Sequence, residues 1–301
     1  MSAANFLKLI SLAAIWGGSF LFLRVAAPVL GPVLLIQFRV GLAAVFLLGL
    51  ALLGRKPLDV RAHWKHFLIL GLVNTAIPFT LFAWAAQVLP ASLESVLNAT
   101  APIWGAILGA LWTRTLPSAR TAAGLVLGIA GVAILVGLNA SGLTPPLLWA
   151  AGAALLAAGC YAVAALYSKA AKSVDAFSNA HGSMWAGALC LAPVTPFFPM
   201  HLAQGAAGPG IWVIVSVLLL GILCSGVAYV IYFGLMDAVG AAQTLSVTFL
   251  IPVFGILWGN LFLHEPIGVN TIIGGLIVLA GTALITGFNP LALMRRRTVA
   301  A

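Results

Sequence analysis

Five residues between positions 91 and 102 share one helical face. Ala91, Glu94, Ser95, Asn98 and Pro102 follow at i, i+3, i+4, i+7 and i+11. A proline inside a helix leaves the carbonyl four residues earlier without a backbone donor, and here that carbonyl belongs to Asn98. Thr244, Thr248 and Pro252 repeat the face, with Gln243 and Ser246 nearby, and Pro252 frees the carbonyl of Thr248. A freed carbonyl beside an amide or hydroxyl can hold an ammonium group of a small solute. The same pattern also reads as a kink healed by a neighbouring side chain or a water. Pro102 and Pro252 are the expected hinges of either reading.

Aromatics add a second set. Trp16 precedes Arg24 by eight residues, and Tyr161 precedes Lys169 by eight. Small residues flank both rings (Gly17, Gly18 and Ser19; Gly159, Cys160 and Ala162) and permit close backbone approach. The two rings can face each other across a cavity, or serve as packing aromatics of the kind common in membranes. The expected solute-binding set is therefore Trp16, Ser19, Asn74, Trp84, Glu94, Asn98, Tyr161, Tyr229, Gln243 and Thr248. Arg39 and Glu94 stand at similar depth, and an unpaired charge there is costly, so an ion pair between them is expected. The other reading of Glu94 is a protonatable, coupling or ammonium-binding group. His181 reads as a helix-packing residue. Catalysis inside the spans would need paired acids, a histidine cluster or a serine with a histidine. Glu94 is the sole acid well inside an apolar run and His181 the sole mid-run histidine, and the loops are too short to supply a site. No enzyme activity, metal or cofactor is expected. The three cysteines, Cys160, Cys190 and Cys224, lie in apolar runs and behave as small hydrophobes.

The elements that carry these residues are apolar throughout. Of the 301 residues 63% are hydrophobic and 6% charged, against about 25% charged in an ordinary soluble domain. Mean hydropathy is +1.16. Lipid must be the solvent for most of the chain. A spanning helix takes about 20 apolar residues, and ten candidates fit: 5–24, 31–53, 66–88, 90–113, 118–138, 146–170, 176–199, 210–234, 239–263 and 267–288. Unbroken runs of this length exclude a barrel of short alternating strands.

The net charge of +9 comes from Lys and Arg in the gaps between runs, not on a soluble face. That distribution argues against nucleic acid and for membrane orientation. With a cytoplasmic N-terminus, twelve Lys and Arg fall inside and Arg24 alone outside, Arg39 lying within the second run. The positive-inside rule then places both termini in the cytoplasm of a multi-pass protein of the cell (inner) membrane.

The chain also repeats itself. At a fixed offset of 150, "PIWGAILGALW" (102–112) matches "PVFGILWGNLF" (252–262), and ten identities fall in the 36 positions from Pro102 to Gly137. The expected fold class is all-α integral membrane: ten transmembrane helices as two inverted five-helix repeats, because five is odd and the second half enters the bilayer upside down. Residues 1–140 form the first repeat, 141–290 the second, and 291–301 a basic cytoplasmic tail. Inverted repeats about an in-plane axis recur in transporters. Gly105/Gly109, Gly255/Gly259 and Gly124/Gly128 are spaced for close helix packing.

The segments "AIWGGSFLFLR" (14–24), "FRVGLA" (38–43), "LPASLESVLNATAPIWGAILGAL" (89–111) and "YFGLMDAVGAAQTLSVTFLIPVFGILWGNLFLHEPI" (232–267) resemble the EamA family of the drug/metabolite transporter superfamily. The resemblance covers nearly the whole chain. It implies ten helices in inverted repeats and export of amino acids or other small metabolites. One position departs from the pattern: the glutamate that closes helices 4 and 9 is Glu265 in the second half but Thr115 in the first. No Walker-type loop occurs, so ATP is not a direct energy source. A secondary exporter of small amphipathic solutes by alternating access is the expected function. A channel-like facilitator, a lipid flippase and an importer are the alternatives. A small-molecule substrate and membrane lipid are the expected partners; the oligomeric state stays open.

Overall fold

A computed structural model describes residues 2–55, 58–137, 143–171, 174–201 and 208–287. The basic tail at 291–301 lies outside the described residues. The described chain is helical: α1 (Ala3–Leu30), α2 (Pro32–Leu53), α3 (Val60–Ala85), α4 (Ala91–Thr113), α5 (Ala119–Gly137), α6 (Pro145–Ala171), α7 (Ala176–Leu191), α8 (Ile211–Val239), α9 (Val247–Leu263) and α10 (Val269–Thr286). A short helical turn, Ala241–Thr244, precedes α9. Eight of these stretches are long and apolar enough to cross a membrane, and α7 and α9 are shorter.

Local chemistry sets the breaks. Gly31 takes φ 73, a conformation open to glycine, and Pro32 starts α2 where its missing N–H costs nothing. Asp59 caps α3 by accepting from the Ala62 N–H at 3.2 Å, so α3 begins six residues before the expected start at 66. The expected run 176–199 stops at Leu191, because Pro193 and Pro196 cannot donate to a continuing helix. The expected run 90–113 is two arms, Ala91–Asn98 and Ala101–Thr113, with Pro102 in the first turn of the second. Pro252, by contrast, sits inside α9. Arg114 and His264, 150 residues apart, end α4 and α9 in the same left-handed conformation, φ 51 and 54.

α3 and α8 each contain a π-helical stretch, Gly71–Ala76 and Leu219–Val227. The first packs on α7 and the second on α2. Gly71 makes its approach possible, since a Cβ there would stand 2.8 Å from the Gly187 nitrogen. Gly221 does the same against Leu42 and the Arg39 carbonyl. α1 lies along α9, α4 against α6, and α5 against α10. The expected close approach at Gly105 and Gly109 is not made, for neither has an atom near the position of a Cβ; Gly124 and Gly128 do pack closely, against α10 and Ile103.

Candidate functional site

A cavity of about 510 Å³ opens where α1, α2, α3, α4, α6, α7, α8 and the start of α9 converge. Its size suits a small ligand. Trp16, Ser19, Asn74, Asn98, Tyr161, Tyr229 and Thr248 line it, as does Pro102. Seven of the ten expected residues thus share one wall space. Trp84 lies elsewhere, 43% exposed on α3. Gln243 is in the short turn before α9 and Glu94 in the first turn of α4, neither on the wall. Pro252 is buried within α9.

Two aromatic groups hold the wall in shape. The Trp16 ring lies edge-on to Tyr229, centroids 6.2 Å apart, and against Tyr232 at 5.5 Å. Phe82 stacks on Tyr161 at 6.0 Å and meets Phe20 edge-on at 5.8 Å. Such pairs add about 0.5–1.5 kcal/mol each beyond area burial. Trp16 Nε1 donates to the Cys224 carbonyl at 3.1 Å, and Cys224 Sγ donates to the Ile15 carbonyl at 3.3 Å. Both tie α1 to the π-helical stretch of α8, where wide turns loosen the backbone ladder.

The carbonyl chemistry at the two breaks is served partly from within. Thr248 Oγ1 donates to the Leu245 carbonyl at 2.8 Å, and Thr100 Oγ1 to the Leu97 carbonyl at 2.6 Å. Asn98 lines the cavity.

The expected Arg39–Glu94 pair is not formed. Arg39 Nε donates to Ser225 Oγ at 2.9 Å, and its Cζ lies 3.8 Å from the Phe79 ring centroid. The π-helical turns of α8 set Ser225 facing α2, and that hydroxyl takes the place expected of the carboxylate. Glu94 is fully buried, and neither carboxyl oxygen has a hydrogen-bond partner among the described residues. His181 accepts at Nε2 from Trp185 Nε1 at 3.0 Å, as a packing histidine does.

A set of hydrogen bonds ties helices together toward the end where α1 finishes. Glu265 Oε1 accepts from the Ala91 N–H at 2.9 Å, and Oε2 from the Ser92 N–H and Oγ at 3.3 Å each. The carboxylate thereby caps the first turn of α4, where free N–H groups and the helix dipole favour negative charge. Arg24 Nη1 donates to the Ala86 carbonyl at 2.8 Å, and the His201 N–H to the Val29 carbonyl at 2.7 Å, at the same end. The cavity runs the other way, to Ser168, Ala176, Met236 and Leu245, near the end where α1 starts. The hydroxyl of Thr115, the counterpart of Glu265, meets that of Thr113 at 2.6 Å.

Arg39, Asn179 and Tyr232 are among the wall residues that lie outside the expected set. A signal for α8 was present. "GLVNTAIPFTLF" at 71–82 matches "GILCSGVAYVIY" at 221–232 at the same offset of 150, pairing Gly71 with Gly221, Thr75 with Ser225 and Phe82 with Tyr232.

The sequence model of the EamA-like transporter family matches this chain twice, over residues 5–137 and 148–287. The uncharacterized transporter YoaV of Bacillus subtilis is 24% identical over 277 residues, covering 91% of this chain and 94% of that one. A probable terminal-alkyne amino-acid exporter of Streptantibioticus cattleyicolor is 25% identical over 286 residues, covering 94% and 92%. A solved crystal structure aligns over 100% of both chains with a TM-score of 0.63 at 18% identity, a likeness of fold.

Proposed function

The chain belongs to the EamA-like transporter family, and from that premise we propose that it is a secondary transporter exporting amino acids or related small amphipathic solutes by alternating access. The observation that carries this reading is the composition of the cavity wall. Trp16, Ser19, Asn74 and Asn98 come from residues 1–140, and Tyr161, Tyr229 and Thr248 from residues 141–290. A solute held between two halves is released to either side when they rock about it. Asn98 and Thr248 meet it from opposite halves, and Pro102 and Pro252 are the hinges.

Ten spans in two inverted five-helix repeats are part of the proposal. Support comes from the two family matches, one per half, from the paired caps at Arg114 and His264, and from the two π-helical stretches at matching positions. The charge count supports cytoplasmic termini in an inner membrane. In that orientation the Glu265 end faces out and the cavity faces in, ready to load for export. The amino-acid exporter among the relatives supports the solute class.

The test is counterflow of labelled amino acids into proteoliposomes holding the purified protein. Uptake above protein-free vesicles, saturating with concentration, is the expected result. Flux that never saturates points to a channel. No amino acid or related solute crossing, with the protein folded, sinks the reading.

A further inference from the structure

The guanidinium of Arg39 stands on the cavity wall with most of its donors unspent. Arg39 is 6% exposed, eight residues into α2. A guanidinium carries five N–H donors, and one is used among the described residues, Nε to Ser225 Oγ. The Phe79 ring covers one face of the group, a cation–π contact that offsets part of the desolvation. Among the described residues no carboxylate pairs with it: Glu94, the acid expected to do so, lies off the wall. The wall residues include no Asp or Glu and one fixed charge, Arg39 itself.

Such a group has a defined complement. The planar fork of a guanidinium matches the two oxygens of a carboxylate, which a lysine ammonium does not. Ser225 and Phe79 hold Nε and one face of the guanidinium from α8 and α3, and the Nη groups have no hydrogen-bond partner among the described residues. One guanidinium balances one negative charge; a doubly charged phosphate would keep an excess charge in a poorly solvated space. The rest of the wall is aromatic or aliphatic apart from amides and hydroxyls, and it suits an apolar body.

We propose that Arg39 anchors a carboxylate of the transported solute, so that the substrate class is a monocarboxylate group on an apolar or aromatic body. The proposal rests on the transporter reading above. It places the main electrostatic contact on the acid end of an amino acid and leaves the ammonium group to neutral acceptors such as Asn98 and Thr248.

Four probes of one shape test it: L-phenylalanine, 3-phenylpropionate, L-phenylalaninamide and 2-phenylethylamine. Each is assayed for counterflow and for thermal stabilisation of the detergent-purified protein. Wild type is expected to move and be stabilised by the two acids and to respond at least about tenfold more weakly to the amide and the amine. Arg39→Gln should erase that preference, and Arg39→Lys should restore it in part. Ser225→Ala, which keeps the charge but frees its position, should raise KM for the acids several-fold and leave the amine unchanged. If Arg39→Gln does not fold, the acid-to-amine ratio of wild type and of Ser225→Ala decides. Equal handling of acid and amine by wild type, or an acid preference surviving in Arg39→Gln, overturns the anchor and leaves the transporter standing. If no probe moves or stabilises wild type, the anchor is overturned; if other amino acids still cross, the transporter reading survives it.

Discussion

Gly124 and Gly281 meet backbone to backbone: a Cβ on Gly124 would stand 2.7 Å from the Gly281 carbonyl oxygen, and one on Gly281 2.6 Å from that of Gly124. Gly131 and Gly274 face each other likewise, at 2.9 Å both ways. Adding 150 to 124 gives 274, and to 131 gives 281. Exchanging the halves therefore turns one contact into the other, the reciprocity a two-fold axis demands. Because α5 and α10 run antiparallel through these contacts, the axis lies across them, which favours inverted over parallel repeats.

The same contact predicts an unusual sign for a mild substitution. Gly→Ala inside a helix ordinarily stabilises by about 0.5–1 kcal/mol. At Gly281 the added methyl meets backbone atoms of α5, which cannot turn aside, and overpacking costs about 1–3 kcal/mol. Gly281→Ala should lower the thermal midpoint in detergent, whereas Gly105→Ala, with open space around it, should leave it unchanged or raise it. A Gly281→Ala protein as stable as wild type would mean that α5 and α10 are farther apart.

Orientation has its own test. In the orientation proposed from the charge count, the turn between α2 and α3, with Arg55 and Arg61 beside it, is cytoplasmic. Asp59→Cys, in a protein whose three native cysteines are replaced, should react with a membrane-impermeant thiol reagent in inside-out vesicles and not in intact cells. Labelling in intact cells would reverse the topology and turn the open end of the cavity outward.

Much of this architecture was legible because apolar runs, Gly–Pro breaks and the offset of 150 are local or periodic signals. The breaks at Gly31 and the repeat at 102–137 are of that kind. Other features depend on contacts that periodicity does not encode. The π-helical stretches follow the approach of Gly71 to α7 and of Gly221 to α2, and they determine where Ser225 points. That in turn decides the fate of Arg39, for which matching depth with Glu94 suggested a different partner. Trp84 and Gln243 were reasonable candidates by type, but the side of a helix that faces the cavity is settled by neighbours, not by polarity.

Asn98 and Gln243 make a matched comparison within the cavity reading. Both carry amides and lie before a proline, but Asn98 is on the wall and Gln243 is off it. Asn98→Ala should weaken apparent solute affinity by about 1–3 kcal/mol if its amide is desolvated on binding. Asn98→Leu, which adds bulk, should harm transport more. Gln243→Ala should behave as wild type. Initial rates against solute concentration, at matched amounts of folded protein, give the answer. Equal loss in Asn98→Ala and Gln243→Ala would place the effect in helix stability.

The last prediction concerns the Glu265 end, the outer one in the proposed orientation, where the two halves differ. Glu265 on α9 caps the start of α4 through two backbone N–H groups and the Ser92 hydroxyl. Its counterpart in the first half, Thr115, is too short to cap across a helix interface and bonds to Thr113. If these two ends act as the gates of the proposed transport cycle, a cap on one alone favours the conformation in which that end is shut. A helix cap contributes about 1 kcal/mol, and its loss shifts a two-state balance roughly fivefold. A cysteine at Leu23, which lines the cavity in the C-terminal half of α1, reports that balance when the native cysteines are removed. Glu265→Ala should raise its labelling by an impermeant reagent added outside, by about that factor where the open state is rare. Glu265→Gln keeps one acceptor oxygen and should fall between. Solute-free vesicles are needed, because a bound solute biases the same equilibrium. If Glu265→Ala labels Leu23→Cys no faster than the parent does, the carboxylate is a local cap on α4 and does not hold the outer gate.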